Sequence, residues 1–164
     1  MNYFLIGMMG CGKTTVGKLL AKNIEYNFID LDLEIEKFAN MKINDIFENH
    51  GEEYFRTLEI EVSRKLIKYS SNNIIATGGG FPINKQNMNW MEENGNVIWL
   101  KANSETIYAR IKNDTNRPLL NSPSIQAIKK ILNKRIEKYK IAKHHIDTNG
   151  KSLAQIVEEI KAKF

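Results

Sequence analysis

Gly7, Gly12, Lys13 and Thr14 match the pattern G-x-x-x-x-G-K-[ST] without departure, and Gly10 lies inside the same loop. Glycines let successive backbone N–H groups turn inward around an anion, and a following helix adds the favourable end of its dipole. A lysine at this place supplies a point charge for the outer phosphates of a nucleotide, and the threonine hydroxyl suits Mg²⁺. The chemistry indicated is binding of a nucleoside triphosphate.

Downstream, carboxylates and arginines stand where charge needs a reason. Phe28-Ile29-Asp30-Leu31-Asp32 carries two carboxylates two apart, which point the same way in extended chain. One suits a metal shell and the other a substrate hydroxyl; the alternative is a helix N-cap followed by first-turn acids. In residues 52–70, Phe55, Leu58, Val62 and Leu66 form an apolar stripe, with Glu59 beside it and Arg56 on its flank. That pair reads either as a surface i,i+3 ion pair or as a guanidinium oriented by a carboxylate to meet an anion. Arg135 falls within a second stripe of Ile128, Ile131, Leu132, Ile136, Tyr139 and Ala142. A charge facing inward there needs an anionic partner, protein or ligand. Lys129, Lys130, Lys134, Lys138, Lys140 and Lys143 read as a solvated face.

Gly78-Gly79-Gly80 follows an apolar run that ends in Thr77, where a standard phosphate-loop protein has a carboxylate. Three successive glycines admit close approach of a ligand or a second backbone. Residues 113–124 are polar and contain Arg117-Pro118-Leu119-Leu120; a loop of this length in a small domain suits a lid. Ser122 as N-cap and Pro123 at the first helical position would close it.

These residues must be positioned by a scaffold, and its pattern alternates throughout. Strands are expected over 2–7, 27–31, 73–77, 97–101 and 144–148. Helices are expected near 13–25, 33–40, 43–50, 52–70, 84–92, 104–112, 122–142 and 152–163. Strands separated by helices imply an α/β architecture, a parallel sheet with helices on both faces. Function in such sheets sits beyond the carboxyl ends of the strands.

Composition restricts the alternatives. The 164 residues suffice for one domain with a real core, and 42% hydrophobic with 26% charged is ordinary for a globular chain. The net charge of +5 permits nucleic-acid binding, but enzymes of polyanionic substrates also lean basic. His144 and His145 are adjacent, so on a strand they point to opposite faces and make a poor metal pair. A single cysteine, Cys11, excludes an internal disulfide and fits a reducing compartment. Apolar runs fall short of a membrane span, and Met1 leads almost directly into the first strand. The expectation is a cytoplasmic protein without a signal peptide.

Taken together, the segment Gly7–Thr15, Asp30-Leu31-Asp32, Gly51-Glu52 with Phe55-Arg56 and Glu59, Gly78-Gly79-Gly80, Arg117-Pro118-Leu119-Leu120, and Arg135 with Tyr139 resemble the shikimate kinase family from end to end. The resemblance implies a three-layer P-loop kinase fold, with a parallel five-stranded sheet flanked by helices as in nucleoside monophosphate kinases. It implies one domain over residues 1–164, with substrate-binding helices over 32–62 and a lid over 113–124. The implied activity is transfer of the ATP γ-phosphate to the 3-hydroxyl of shikimate, with Mg²⁺ as cofactor. By this likeness Gly10, Cys11, Gly12, Lys13, Thr14, Thr15, Arg110 and Arg117 bind ATP, Arg110 near the adenine and Arg117 at the phosphates. Thr14 and, through water, Asp30 hold the metal. Asp32, Arg56, Gly78, Gly79, Gly80 and Arg135 bind the substrate, the two arginines taking its carboxylate while Glu59 holds Arg56. Lys13, Asp32 and Arg117 are the implied catalytic residues. The expected partners are ATP and shikimate, without nucleic acid or membrane, and the expected state is a monomer.

Three positions depart from the family pattern. Asn40 stands where Gly is usual after the helix that follows Asp32, and Asn is the next-best residue for a left-handed C-cap. Lys42 replaces a usual Ser or Thr, so the N-cap before Ile43 is expected to be weak. Cys11 occupies a position usually held by Ala or Ser. Beside Lys13 and a helix N-terminus it would be a reactive thiolate; packed against the sheet it would be an inert small side chain. Two rival functions use the same residues differently. One is a related small-molecule kinase such as gluconate kinase, and the other a nucleotide-dependent regulator binding nucleic acid through its basic surface.

Overall fold

A computed structural model describes residues 1–68, 70–112 and 124–163 of the chain. Its strands are β1 (Asn2–Ile6), β2 (Asn27–Asp30), β3 (Asn73–Ala76), β4 (Gly95–Lys101) and β5 (His144–Asp147). All neighbours pair in parallel, in the order β2-β3-β1-β4-β5. The helices are α1 (Lys13–Ile24), α2 (Leu31–Ala39), α3 (Ile43–Lys68), α4 (Lys85–Asn94), α5 (Ser104–Ile111), α6 (Ile125–Tyr139) and α7 (Leu153–Lys161), with a short 3₁₀ turn over Phe81–Ile83. This is the three-layer arrangement expected.

The central strand explains the two cores. Side chains alternate along β1, so Phe4 and Ile6 enter one cluster with Leu31, Leu58, Trp99 and Tyr139. Tyr3 and Leu5 enter the other, with Val16, Leu20, Ile146 and Ile160 from α1, β5 and α7. From Tyr3 to Ile6 the strand is buried on both faces and apolar, as a central parallel strand requires. Its carboxyl end, and that of β3, therefore open onto one edge of the sheet.

Three local expectations are corrected. β2 ends at Asp30, and α2 starts at Leu31 rather than Leu33. Leu31 and Ile35 are both fully buried, so the apolar spacing of one turn already begins there. The two helices expected on either side of Gly51 are found, joined in α3 across a non-helical Gly51 at φ 82° and ψ 174°. The cap of α6 is Ser124, whose hydroxyl accepts from the Ala127 N–H at 3.1 Å, in place of Ser122. The expected lid, 113–124, lies outside the described residues apart from Ser124, and Arg117 with it. Asn40 takes the left-handed C-cap at φ 49°, as the sequence suggested.

Candidate active site

The strand-to-helix turn after β1 begins with a backbone only glycine tolerates. Gly7 sits at φ 138°, and a Cβ there would lie 2.6 Å from the Leu100 carbonyl. At the other end of the loop Gly12 is the N-cap of α1 and provides no side-chain cap, and the first turn contains no acid. The first N–H groups of α1 are thus left for an anion. Lys13 Nζ donates to the carbonyls of Gly7 and Met8, each at 3.0 Å, which keeps the ammonium over the loop. Arg110 braces the loop from outside, donating to Gly10 O at 3.2 Å, Cys11 O at 3.1 Å and Thr148 O at 3.4 Å.

Cys11 points the other way. Its side chain is 1% exposed and packs in the core cluster of Leu5, Val16 and Leu100. Of the two readings of Cys11, the geometry favours the small side chain packed against the sheet: the loop turns this residue beneath itself, its Sγ 3.9 Å from Lys13 Nζ.

Across the cavity the two carboxylates at the end of β2 and the start of α2 do not form the extended pair expected. Asp30 is the N-cap of α2, makes no side-chain cap bond, and accepts from Thr14 Oγ1 at 2.8 Å. Asp32 lies in the first turn of α2. Both line a cavity of about 900 Å³ together with the phosphate loop, α3 and the three glycines.

What the three glycines admit is a set of charged side chains. A Cβ on Gly78 would stand 2.7 Å from Glu59 Oε1 and 3.1 Å from Asp32 Oδ1. On Gly79 it would meet Arg135 Nη1 at 3.3 Å, and on Gly80 Arg56 Nη2 at 2.6 Å. Four functional candidates from α2, α3 and α6 thus converge on three consecutive glycines after β3. Thr77, before the glycines, ties this loop to the sheet through its N–H and hydroxyl, both donating to Leu5 O.

Arg56 is held on two sides. Nη1 donates to Glu59 Oε2 at 2.5 Å, while Nε and Nη2 donate to Glu52 Oε1 at 3.2 and 2.8 Å. Burial opposes the Arg56 charge, but the two carboxylates outweigh it and raise its pKa. Glu59 is not beside the apolar stripe of α3 but within it, at 0% exposure. Its Oε1 has no hydrogen-bond partner among the described residues. Burial pushes this carboxyl up to about 7, assisted by the charges of Asp32 and Glu52 and resisted by Arg56.

α6 contributes two residues one turn apart. Arg135 reaches the cavity, with Nη1 4.0 Å from Met8 Sδ, and among the described residues it meets no carboxylate within ion-pair distance. Tyr139 donates its hydroxyl to Gly79 O at 2.6 Å and is fully buried. Burial drives its phenol up to about 12 against the lowering influence of Arg135. The sequence reading gave Tyr139 a place in the motif but no role; its i,i+4 spacing from Arg135 was the available signal. The second carboxylate on Arg56, Glu52, was likewise assigned no contact. The six lysines of α6 and its following turn are exposed.

A family model described as shikimate kinase matches residues 9–164. The shikimate kinase of Sulfurihydrogenibium sp. is 46% identical, over 99% of this chain and 97% of that protein. A solved shikimate kinase from Acinetobacter baumannii in complex with shikimate is 35% identical, with a TM-score of 0.92 over 99% of this chain and 91% of that one. A gluconokinase from Sinorhizobium meliloti, 15% identical over 98% and 89% of the two chains with a TM-score of 0.63, shares the fold alone.

Proposed function

The chain belongs to the shikimate kinase family, and on that premise we propose that it transfers the γ-phosphoryl group of ATP to the 3-hydroxyl of shikimate. The observation that carries this reading is the single cavity joining the phosphate loop to Asp32, Arg56 and Arg135. A hydroxylated carboxylate fits its far side, where two guanidiniums face one glycine loop. Fork-shaped donors match a carboxylate in both charge and plane. Lys13 and the uncapped N-terminus of α1 receive the nucleotide phosphates. Asp32 orients the acceptor hydroxyl and takes its proton, for which a modest base is enough, because phosphoryl transfer depends mainly on positioning and charge neutralisation. Arg110 beside the loop and Arg117 beyond the described residues complete the nucleotide side by family likeness.

The hydroxyl of Thr14 and the carboxylate of Asp30 are an all-oxygen pair suited to a hard cation. Among the described residues no group of three or more ligating side chains exists, which suits an ion that keeps its waters and phosphates. Thr14 and, through water, Asp30 would hold Mg²⁺, which neutralises charge on the β- and γ-phosphates when bound. No described helix is long and apolar enough to cross a membrane. The test is coupled ADP release with shikimate against gluconate: turnover with shikimate alone is expected, and turnover with gluconate alone would refute the assignment.

A further inference from the structure

α3 starts without a capping side chain of its own. Its N-cap residue is Lys42, whose carbonyl accepts from Ile46 N at 2.9 Å. A lysine side chain has no acceptor for the open N–H groups of the first turn. The acceptor comes instead from α2. Glu36 Oε1 takes the Ile43 N–H at 3.1 Å, and Oε2 takes Lys42 Nζ at 2.8 Å. The backbone of Glu36 is fixed as well, since its carbonyl receives the Met41 N–H at 3.1 Å across the left-handed corner at Asn40.

This contact controls a defined piece of the cavity wall. Residues 43–50 lie between two backbone breaks, the corner at Asn40 (φ 49°) and the break at Gly51 (φ 82°). Ile43 and Phe47 line the same cavity as Arg56. Fully buried Ile46, and Phe47 packed at a ring-centroid distance of 4.9 Å on Phe55, hold the inner side of this two-turn segment. Its outer start is held by Glu36.

We infer that Glu36 is a positioning residue for the acceptor substrate, its carboxylate latching residues 43–50 into the wall of the substrate cavity. The role goes beyond the carboxylate clamp and rests on the proposed function only for the identity of the substrate. Glu36 is suited to it at all working pH values: burial would raise its carboxyl, but the bonds from Lys42 and Ile43 prevail and hold it below the ordinary range. A wall segment that spends part of its time open lowers apparent affinity in proportion to the closed fraction lost.

The experiment compares the full chain with Glu36→Ala and with Glu36→Ala combined with Lys42→Ser, which returns a hydroxyl to the N-cap. Amide exchange at Ile43 and Ile46 should quicken about fivefold in Glu36→Ala, the effect of one lost cap. Amides of Leu58 and Val62 should stay unchanged. The shikimate KM should rise, by at most that factor, as the closed fraction falls, while kcat and the ATP KM stay unchanged. Lys42→Ser in the second variant, its hydroxyl accepting from the N–H of Asn44 or Asp45, should restore exchange at Ile46 and the shikimate KM. Unaltered exchange at Ile43 and Ile46, an equal rise in both KM values, or no recovery with serine would overturn the latch. Exchange needs no substrate, so it judges the latch separately; a wild-type chain inactive on shikimate would count against the proposed function alone.

Discussion

Replacing Glu59 by Gln should change how stability depends on pH, and the direction follows from the burial of this side chain. Glu59 is fully buried, bonded through Oε2 to Arg56 and with no hydrogen-bond partner for Oε1 among the described residues. Its carboxyl rises from 4.5 to about 7, so the folded chain keeps a proton that the unfolded chain has released. Stability from this group is therefore complete below the unfolded value and is lost as pH climbs through the folded one. A rise of this size corresponds to about 3 kcal/mol, at 1.36 kcal/mol for each pH unit. Glutamine keeps the shape and an acceptor for Arg56 but does not titrate. Urea unfolding of both proteins from about pH 5 to about pH 8 gives the difference in free energy directly, cancelling the titration of every other group. The variant should gain on the wild type by about 2.5 kcal/mol as pH rises across that interval, the part of the full rise that falls between those pH values. A difference that stays level, or drifts in favour of the wild type, would show that Glu59 is ionised throughout, and the assignment of a proton to it would be wrong.

Arg135→Ala should weaken shikimate binding by about 2–5 kcal/mol, the loss for a desolvated charge partner, while leaving nucleotide affinity intact; calorimetric titration with each ligand tests this, and an equal loss of both refutes it. Gly80→Ala places a Cβ 2.6 Å from Arg56 Nη2 on a backbone at φ −89° that alanine adopts freely. It should displace the guanidinium and raise the shikimate KM at least about tenfold with little change in Tm, whereas a large fall in Tm at unchanged KM would refute that reading. Cys11, 1% exposed, should react with thiol reagents only through opening of the fold, so labelling should accelerate with urea toward the unfolding midpoint; fast stoichiometric labelling of the native protein would refute its burial.

Whatever depends on neighbours in the chain is legible from the residues alone. The phosphate loop is legible because its glycines, lysine and threonine act within one strand, one turn and one helix start. The sheet is legible because apolar runs alternate with helical spacing, and the left-handed cap at Asn40 because Asn tolerates that backbone. Tertiary structure decided what meets across distance. Three glycines announce close approach, but nothing local says that Glu59, Asp32, Arg135 and Arg56 are what approaches. The depth of Glu59, and with it the rise of its carboxyl, follows from packing α3 against the sheet. Cys11 could face the loop or the core, and only α1 closing on β1 and β4 settled it. The missing cap at Lys42 reads as a weakness until Glu36, six residues earlier, is folded back onto Ile43. Burial and charge pairing are properties of the assembled core, so residues whose chemistry depends on them become readable only when distant segments have come together.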